Sequence, residues 1–274
     1  MKTNTGSFEG YKNKNLFYQN WSPDSGKIKA FVFALHGIGA HSDRLKTLAE
    51  FLTEKGYAIY TFDIRGHWRN AGDALGHIDS IDHVVKDIVL FVDVIKKEAA
   101  TKKIFFAGIS LGGLIMLSYS INRADLAGVI LASPLLDFSI KDTGSKSLLK
   151  LSPNKAIEFQ IDQKSLTSDL KVLKIFNTDK NKLSIMSGKT YSEIKKSMKN
   201  ALDNARLLLC PTLIQQAGSD RIADREKTKK FFDKISAEDK TYKEYDGFLH
   251  DLWNEKKREQ VFTDMFIWLE KHIK

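Results

Sequence analysis

Ser110 sits in Gly108-Ile109-Ser110-Leu111-Gly112, with a glycine two places to either side of its hydroxyl. That G-x-S-x-G spacing suits a sharp strand-to-helix turn, which leaves a serine exposed at the start of a helix. Gly108 and Gly112 are needed there because the turn presses backbone against backbone and strains the serine's own φ and ψ. A helix N-terminus also favours the negative charge that develops when a hydroxyl attacks a carbonyl. The chemistry this serine could do is acyl transfer through a covalent acyl-enzyme.

A hydroxyl is a weak nucleophile until a positioned imidazole takes its proton, so a base and an orienting acid must stand nearby. Reactive groups in an open parallel sheet collect at the carboxyl ends of the strands. Of the seven histidines, His250 follows the last strand in Gly247-Phe248-Leu249-His250, on a loop that can reach back to Ser110. His36 also ends a strand, but the Gly37-Ile38 after it suggests a structural role beneath an oxyanion loop. His67, in Arg65-Gly66-His67, is expected to brace its turn, and His41, His77, His83 and His272 to be surface or hydrogen-bonded groups. Asp220 lies three residues beyond the strand ending at Ala217 and is the expected acid. Asp224 opens the next helix and reads as an N-cap. The expected oxyanion donors are the backbone N–H groups of Ile38 and Leu111.

The elements that must position these groups alternate. Ser7 to Lys12 and Leu16 to Trp21 alternate apolar and polar residues around Asn13-Lys14-Asn15, as a hairpin does. Ala30-Phe31-Val32-Phe33-Ala34-Leu35, Tyr57-Ala58-Ile59-Tyr60-Thr61-Phe62, the run from Ile104 and Gly128 to Ala132 are continuous apolar stretches of the kind found in central parallel strands. Helical spacing separates them, through Leu45 to Leu52 and Ile81 to Ile95. The repeated βαβ units predict an α/β fold with a doubly wound, mostly parallel sheet. From Asp137 to about Asn204 no run reads as a buried parallel strand. At least one amphipathic helix is expected there, through Tyr191, Ile194, Met198, Ala201 and Leu202, packed on the sheet, with Thr190 as N-cap. Alternation then resumes with Thr212 to Ala217, a helix near Glu226 to Ile235, the strand Thr241 to Tyr245 and a last helix through Val261 and Leu269. The expected organisation is a core of residues 1–136 and 205–274 interrupted by an insertion at 137–204.

Composition bounds the function. With 42% hydrophobic and 11% aromatic residues in 274, a large globular core is expected, and nothing suggests disorder. The single cysteine, Cys210, precludes an intrachain disulfide or a thiolate zinc cluster, and its place before an apolar run suggests a buried, inert thiol. No metal or organic cofactor is expected. The net charge of +9 comes from lysines scattered along the chain, without the basic and aromatic interleaving of nucleic-acid binders. The opening residues lack an apolar signal-like segment and no run reaches the length of a membrane span, so cytoplasmic residence is expected. Within 137–204, thirteen lysines oppose eight acidic residues, a difference of +5. The plain reading is a cap whose apolar side covers the reaction site. A sharper one is peripheral contact with anionic membrane surfaces.

Taken together, these residues resemble the monoacylglycerol lipase and lysophospholipase branch of the α/β-hydrolases, in which a helical cap sits between core strands. The resemblance rests on Trp21-Ser22-Pro23, His36-Gly37-Ile38-Gly39-Ala40-His41-Ser42, Asp63-Ile64-Arg65-Gly66-His67, the Ser110 elbow, Gly218-Ser219-Asp220-Arg221 and the Gly247 to His250 loop. The chain order Ser110, Asp220, His250 is also that of an α/β-hydrolase. The resemblance implies hydrolysis of a mono-acylated lipid ester, a monoacylglycerol or a lysolipid, without metal or cofactor. Two stretches depart from the family. Trp68-Arg69-Asn70 stands where Gly-x-Ser is usual, and Phe176-Asn177-Thr178-Asp179 where relatives often carry a tyrosine, so Phe176 has no hydroxyl to offer a head group. Leu148, Leu151, Ile157, Phe159, Phe176 and Ile185 are expected to roof an acyl tunnel. The same triad would serve a small-ester carboxylesterase, a thioesterase or an aminopeptidase, the last needing a fixed carboxylate for its substrate's ammonium. A non-catalytic binding module of the same fold would normally have lost a triad member.

Overall fold

The computed structural model describes residues 1–72, 74–138, 156–158 and 161–273. Its strands are β1 (Lys2–Gly10), β2 (Lys14–Ser22), β3 (Ala30–Leu35), β4 (Tyr57–Phe62), β5 (Ile104–Ile109), β6 (Val129–Ala132), β7 (Ala156–Glu158), β8 (Ile185–Ser187), β9 (Thr212–Ala217) and β10 (Lys240–Tyr245). Its longer helices are α1 (Lys46–Glu54), α2 (Ile81–Ala99), α3 (Leu111–Ser120), α4 (Leu170–Thr178), α5 (Gly188–Asp203), α6 (Arg225–Lys234) and α7 (Arg258–His272).

Among the described residues one sheet runs in the order β1-β2-β4-β3-β5-β6-β9-β10. The β1–β2 hairpin and the β2–β4 pair are antiparallel, and every later pairing in the sheet is parallel. Strands β3, β4, β6 and β9 are buried along their whole length, so both faces must be apolar. Alternate residues of β3 divide the core in two. Phe31, Phe33 and Leu35 pack with α2 and α3 on one face, and Ala30, Val32 and Ala34 pack with α1 and α7 on the other. The strand order reverses at β3, with β4 on one side and β5 on the other. Groups beyond the carboxyl ends of β3 and β5 therefore share one crevice, the usual ligand site of a doubly wound sheet.

The segment 137–204 leaves the sheet after β6 and returns at β9, although β6 and β9 are neighbours. Its described part holds a short antiparallel pair, β7 with β8, and the helices α4 and α5. One expectation is corrected here. Ser187, not Thr190, caps α5, its hydroxyl accepting from the Thr190 N–H at 3.1 Å. The Thr190 hydroxyl is drawn instead to Gly76 and Ile78, donating to the Gly76 carbonyl at 3.0 Å and accepting from the Ile78 N–H at 2.7 Å. Ile194, Met198 and Ala201 of α5 join the apolar cluster that α2 and α3 form on this face of the sheet, with α5 packed against both helices.

A buried ion pair pins the amino-terminal hairpin to the core. Asp87 on α2 is wholly buried and accepts from the Arg65 guanidinium and, at 2.7 Å, from the Tyr11 N–H, while Arg65 also donates to the Tyr11 carbonyl at 2.6 Å. One carboxylate thus ties the β1–β2 turn, α2 and the loop after β4. Removing one partner of such a pair strands a buried charge, at about 3–5 kcal/mol. Asp87→Ala should therefore lower the midpoint of a thermal melt by more than about 5 °C. A change within 1–2 °C would show that the pair is not structurally needed.

Candidate active site

The β5–α3 turn holds Ser110 at φ 55° and ψ −119°, a conformation that side chains other than glycine rarely adopt. It is over-determined by its surroundings. The Ser110 N–H donates to the Ala132 carbonyl, and its own carbonyl accepts from Leu114 and Leu135, each at 3.0 Å. A Cβ on Gly108 would stand 2.3 Å from the Gly112 carbonyl oxygen, and one on Gly112 would stand 2.4 Å from that of Leu35. Both contacts are with backbone and cannot yield. They explain the two glycines of the motif, since α3 sits directly on the end of β3.

Asp220, on the loop after β9, and His250, on the loop after β10, meet across that crevice. His250 Nδ1 lies 2.8 Å from Asp220 Oδ2 and 3.0 Å from Oδ1. Asp220 also accepts from the N–H groups of Ile222 and Ala223, both at 2.9 Å, and from the Gln216 amide at 3.2 Å. Burial alone would raise its pKa, but the facing imidazole and these donors outweigh burial and hold it below the ordinary carboxylate value. Burial alone would lower the pKa of His250, and the Asp220 carboxylate more than reverses this. The other ring nitrogen, Nε2, is buried with no hydrogen-bond partner among the described residues. His250 and Ser110 line one pocket, together with Gly37, Ile38, Ile109 and Leu166. Asp224 is the N-cap of α6, accepting from the Lys227 N–H at 3.1 Å.

The two amides expected to serve as oxyanion donors lie on either side of the Ser110 turn. Leu111 carries the first N–H of α3, Ile38 lines the pocket, and neither amide donates to another described residue. Gly37 lets this loop approach, since a Cβ there would stand 3.1 Å from the Ser110 Cβ. Beneath it His36 bridges the chain, with Nδ1 at 2.8 Å from the Gly37 carbonyl and Nε2 accepting from the Ile64 N–H at 3.0 Å. His67 pairs with the Arg65 carbonyl at 3.1 Å and accepts from the Gly39 N–H at 3.4 Å. Burial holds His36 well below its ordinary pKa and brings His67 down to about 4, so both are neutral braces. The unusual Asn70 holds its loop through side-chain bonds to Phe17 N–H at 2.7 Å and to the Phe17 carbonyl at 3.1 Å. Cys210 is buried, its thiol pushed up to about 11.

Sequence reasoning missed three polar residues of the pocket wall, Arg44, Asp251 and Asn254, and the apolar Ile161 and Leu166. Arg44 donates to Asp179 Oδ2 through Nε at 3.2 Å and Nη2 at 2.8 Å, His41 Nε2 reaches the same oxygen at 2.9 Å, and the guanidinium stacks 3.9 Å above the Phe176 ring. Asp251 was findable only as the neighbour of His250. The expected acyl roof is corrected in part. Phe176 packs with Leu166 and Ile222 under Arg44, and Ile185 stands over Gly76. Leu148, Leu151, Phe159 and the Ile157 side chain lie outside the described residues. A second cavity of about 400 Å³ adjoins the pocket, sharing Ile38, Arg44, Ile161 and Leu166 with it and adding Lys164 and Lys182. Among the described residues no group of three or more His, Cys, Asp or Glu is placed to hold a metal ion.

Residues 26–257 match the serine aminopeptidase S33 family (Hydrolase_4). The chain is 26% identical over 261 residues to phospholipase YtpA of Bacillus subtilis, covering 92% of this chain and 100% of that protein. It is 28% identical over 270 residues to monoglyceride lipase of Homo sapiens, covering 93% and 87%. The crystal structure of a soluble variant of monoglyceride lipase from Saccharomyces cerevisiae, in complex with a substrate analog, superposes with a TM-score of 0.88 at 25% identity, over 96% of this chain and 94% of that one.

The buried imidazoles of His250 and His67 should titrate apart. Followed by NMR against pH, His250 should protonate with a midpoint above 6.5, and His67 should stay neutral down to about 4. Because the Asp220 charge is what raises His250, Asp220→Asn should lower its midpoint. An unmoved midpoint would mean that the carboxylate does not set the basicity of this ring.

Proposed function

Because the chain belongs to the serine aminopeptidase S33 family, within the α/β-hydrolases, we propose that Ser110 is its nucleophile, His250 its general base and acid, and Asp220 the carboxylate that orients His250. The protein is a serine ester hydrolase of the monoacylglycerol lipase kind. The observation that carries the residue assignment is the Asp220–His250 pair, set beside a strained serine in one pocket with Nε2 left unpartnered.

The reaction follows from that geometry. Ser110 Oγ attacks the ester carbonyl carbon as His250 Nε2 takes the hydroxyl proton, and Asp220 stabilises the imidazolium through Nδ1–H. The N–H groups of Ile38 and Leu111 bind the oxyanion, each worth about 3 kcal/mol of barrier. Collapse expels the alcohol, which leaves with the proton from His250. Water then enters by the reverse steps and releases the fatty acid. The monoacyl ester is the reading taken for the substrate, with residues 137–204 forming a cap over the crevice. Ser110→Ala and His250→Ala should each lower kcat by about 10⁴-fold or more on a monoacylglycerol while leaving the thermal melt intact, and the double variant should lose little more. A fluorophosphonate should label Ser110 with one equivalent. Full activity in Asp220→Asn with loss in Asp224→Asn would refute the choice of acid.

An amphiphilic ester resides in lipid, and the cap carries a surface suited to reaching it. Leu170 and Ile175 on α4 are 79% and 64% exposed, and Lys171 and Lys174 lie exposed among them. Among the described residues no helix is long and apolar enough to cross a membrane. The reading is peripheral contact with an anionic surface, through apolar side chains ringed by lysine. The protein should sediment with anionic vesicles at low salt, detach at high salt, and bind several-fold less after Leu170→Ser/Ile175→Ser. Equal, negligible binding to anionic and neutral vesicles would remove this reading.

A further inference from the structure

The pocket of Ser110 and His250 has a polar wall that the mechanism above leaves unused, formed by Arg44, Asp251 and Asn254. Arg44 is already engaged, since two of its nitrogens serve Asp179. Asp251 is placed by its backbone N–H, which donates to the Leu166 carbonyl at 2.8 Å. Its carboxylate takes one side-chain donor, the Asn254 amide, at 3.2 and 3.1 Å to the two oxygens, and makes no ion pair among the described residues. The same amide reaches the Arg44 carbonyl at 3.3 Å and so is itself held. An ionised carboxylate has about four acceptor positions, so most of the capacity of Asp251 faces no partner. Burial pushes its pKa up in spite of Asn254 and the nearby Arg44 and His250 charges. Asp251 is itself only partly buried and lines the pocket, so these open acceptor positions can be met by a donor that enters it.

The chemistry of the reaction says which part of the substrate arrives there. The oxyanion must lie at the Ile38 and Leu111 amides, whereas the leaving oxygen must lie within reach of His250, which protonates it. The alcohol portion of the ester therefore occupies the His250 side of the pocket, and Asp251 follows His250 in the chain. An acyl chain carries no hydrogen-bond donor, and the other pocket residues beside it are largely apolar, among them Leu45, Ile109, Ile161 and Leu166. Only an alcohol with further free hydroxyls brings a donor. We propose that Asp251 is a specificity-determining residue for the alcohol portion, its carboxylate accepting a hydrogen bond from a free hydroxyl of a polyol ester while Asn254 holds it in place. This deepens the reading of the Ser110 site and rests on it.

The experiment is a ratio: kcat/KM on 1-lauroylglycerol divided by kcat/KM on methyl laurate, whose alcohol has no second hydroxyl. A hydrogen bond to a charged group predicts that Asp251→Ala lowers this ratio by roughly ten- to a hundredfold. The isosteric Asp251→Asn, which keeps an acceptor oxygen but not the charge, should fall between. A ratio within twofold of the wild type in both variants would overturn the proposal, whatever the absolute rates. The same unchanged ratio with a lowered acid limb of the pH profile would show that Asp251 acts through His250 instead. Cleavage of an aminoacyl p-nitroanilide that depends on Asp251 would also overturn it, as the carboxylate would then serve an ammonium. Fluorophosphonate labelling of Ser110 reports that each variant is folded and competent. Failure of the triad reading looks different, because Ser110→Ala would then retain both activities.

Discussion

The close approach of α3 to the ends of β3 and β5 is the constraint on which the rest of the structure depends. A serine at φ 55° persists only where its neighbours leave no alternative. Here three backbone segments meet without side chains between them, because Gly108, Gly112 and Gly37 each occupy a point where a Cβ would touch backbone or Ser110 itself. The sheet order adds the second half of the constraint. As β3 lies between β4 and β5, the loop from His36 to Gly39 and the start of α3 open into the same crevice, and amides from both can face one point.

The buried imidazoles around that crevice show how partner chemistry, and not residue type, decides function. His36 and His67 each bond backbone at both ring nitrogens; burial is then uncompensated by charge and both stay neutral. His250 is equally enclosed but faces Asp220, and a carboxylate fixed by two backbone amides keeps the ring basic. One ring is therefore suited to take a proton while the other two hold the loop from His36 to Gly39.

The described part of the segment between β6 and β9 is bonded to this arrangement. Asp179, just after α4, is clasped by Arg44 and His41 of the loop following β3. Thr190 and Ser187 at the start of α5 bind the loop around Gly76 and His77, and Asp137 at its base is held by Lys195 and Lys227. The first of these bonds reaches a loop that carries the pocket wall, so the shape of the pocket depends on where Asp179 sits. Arg44 is the joint, lining the pocket and the cavity beside it at once.

The amino-acid order by itself determined whatever depends on near neighbours. Strands β3 and β4 coincide with their apolar runs because a parallel strand covered on both faces must be apolar throughout. The strand-to-helix turn at Ser110 and the Asp224 cap were legible for the same reason, as each follows from residues within one turn. Tertiary structure decided what depends on partners far along the chain. The hydroxyl of Thr190 has the local pattern of a cap, yet it is taken by Gly76 and Ile78, more than a hundred residues away. Phe176 reads as a pocket residue until Arg44 covers it. Asp251 carries no local signal, and only the Leu166 carbonyl and the Asn254 amide fix it in the wall beside His250. A short polar side chain takes the strongest donor or acceptor within about 3 Å, and only the folded chain determines which group that is.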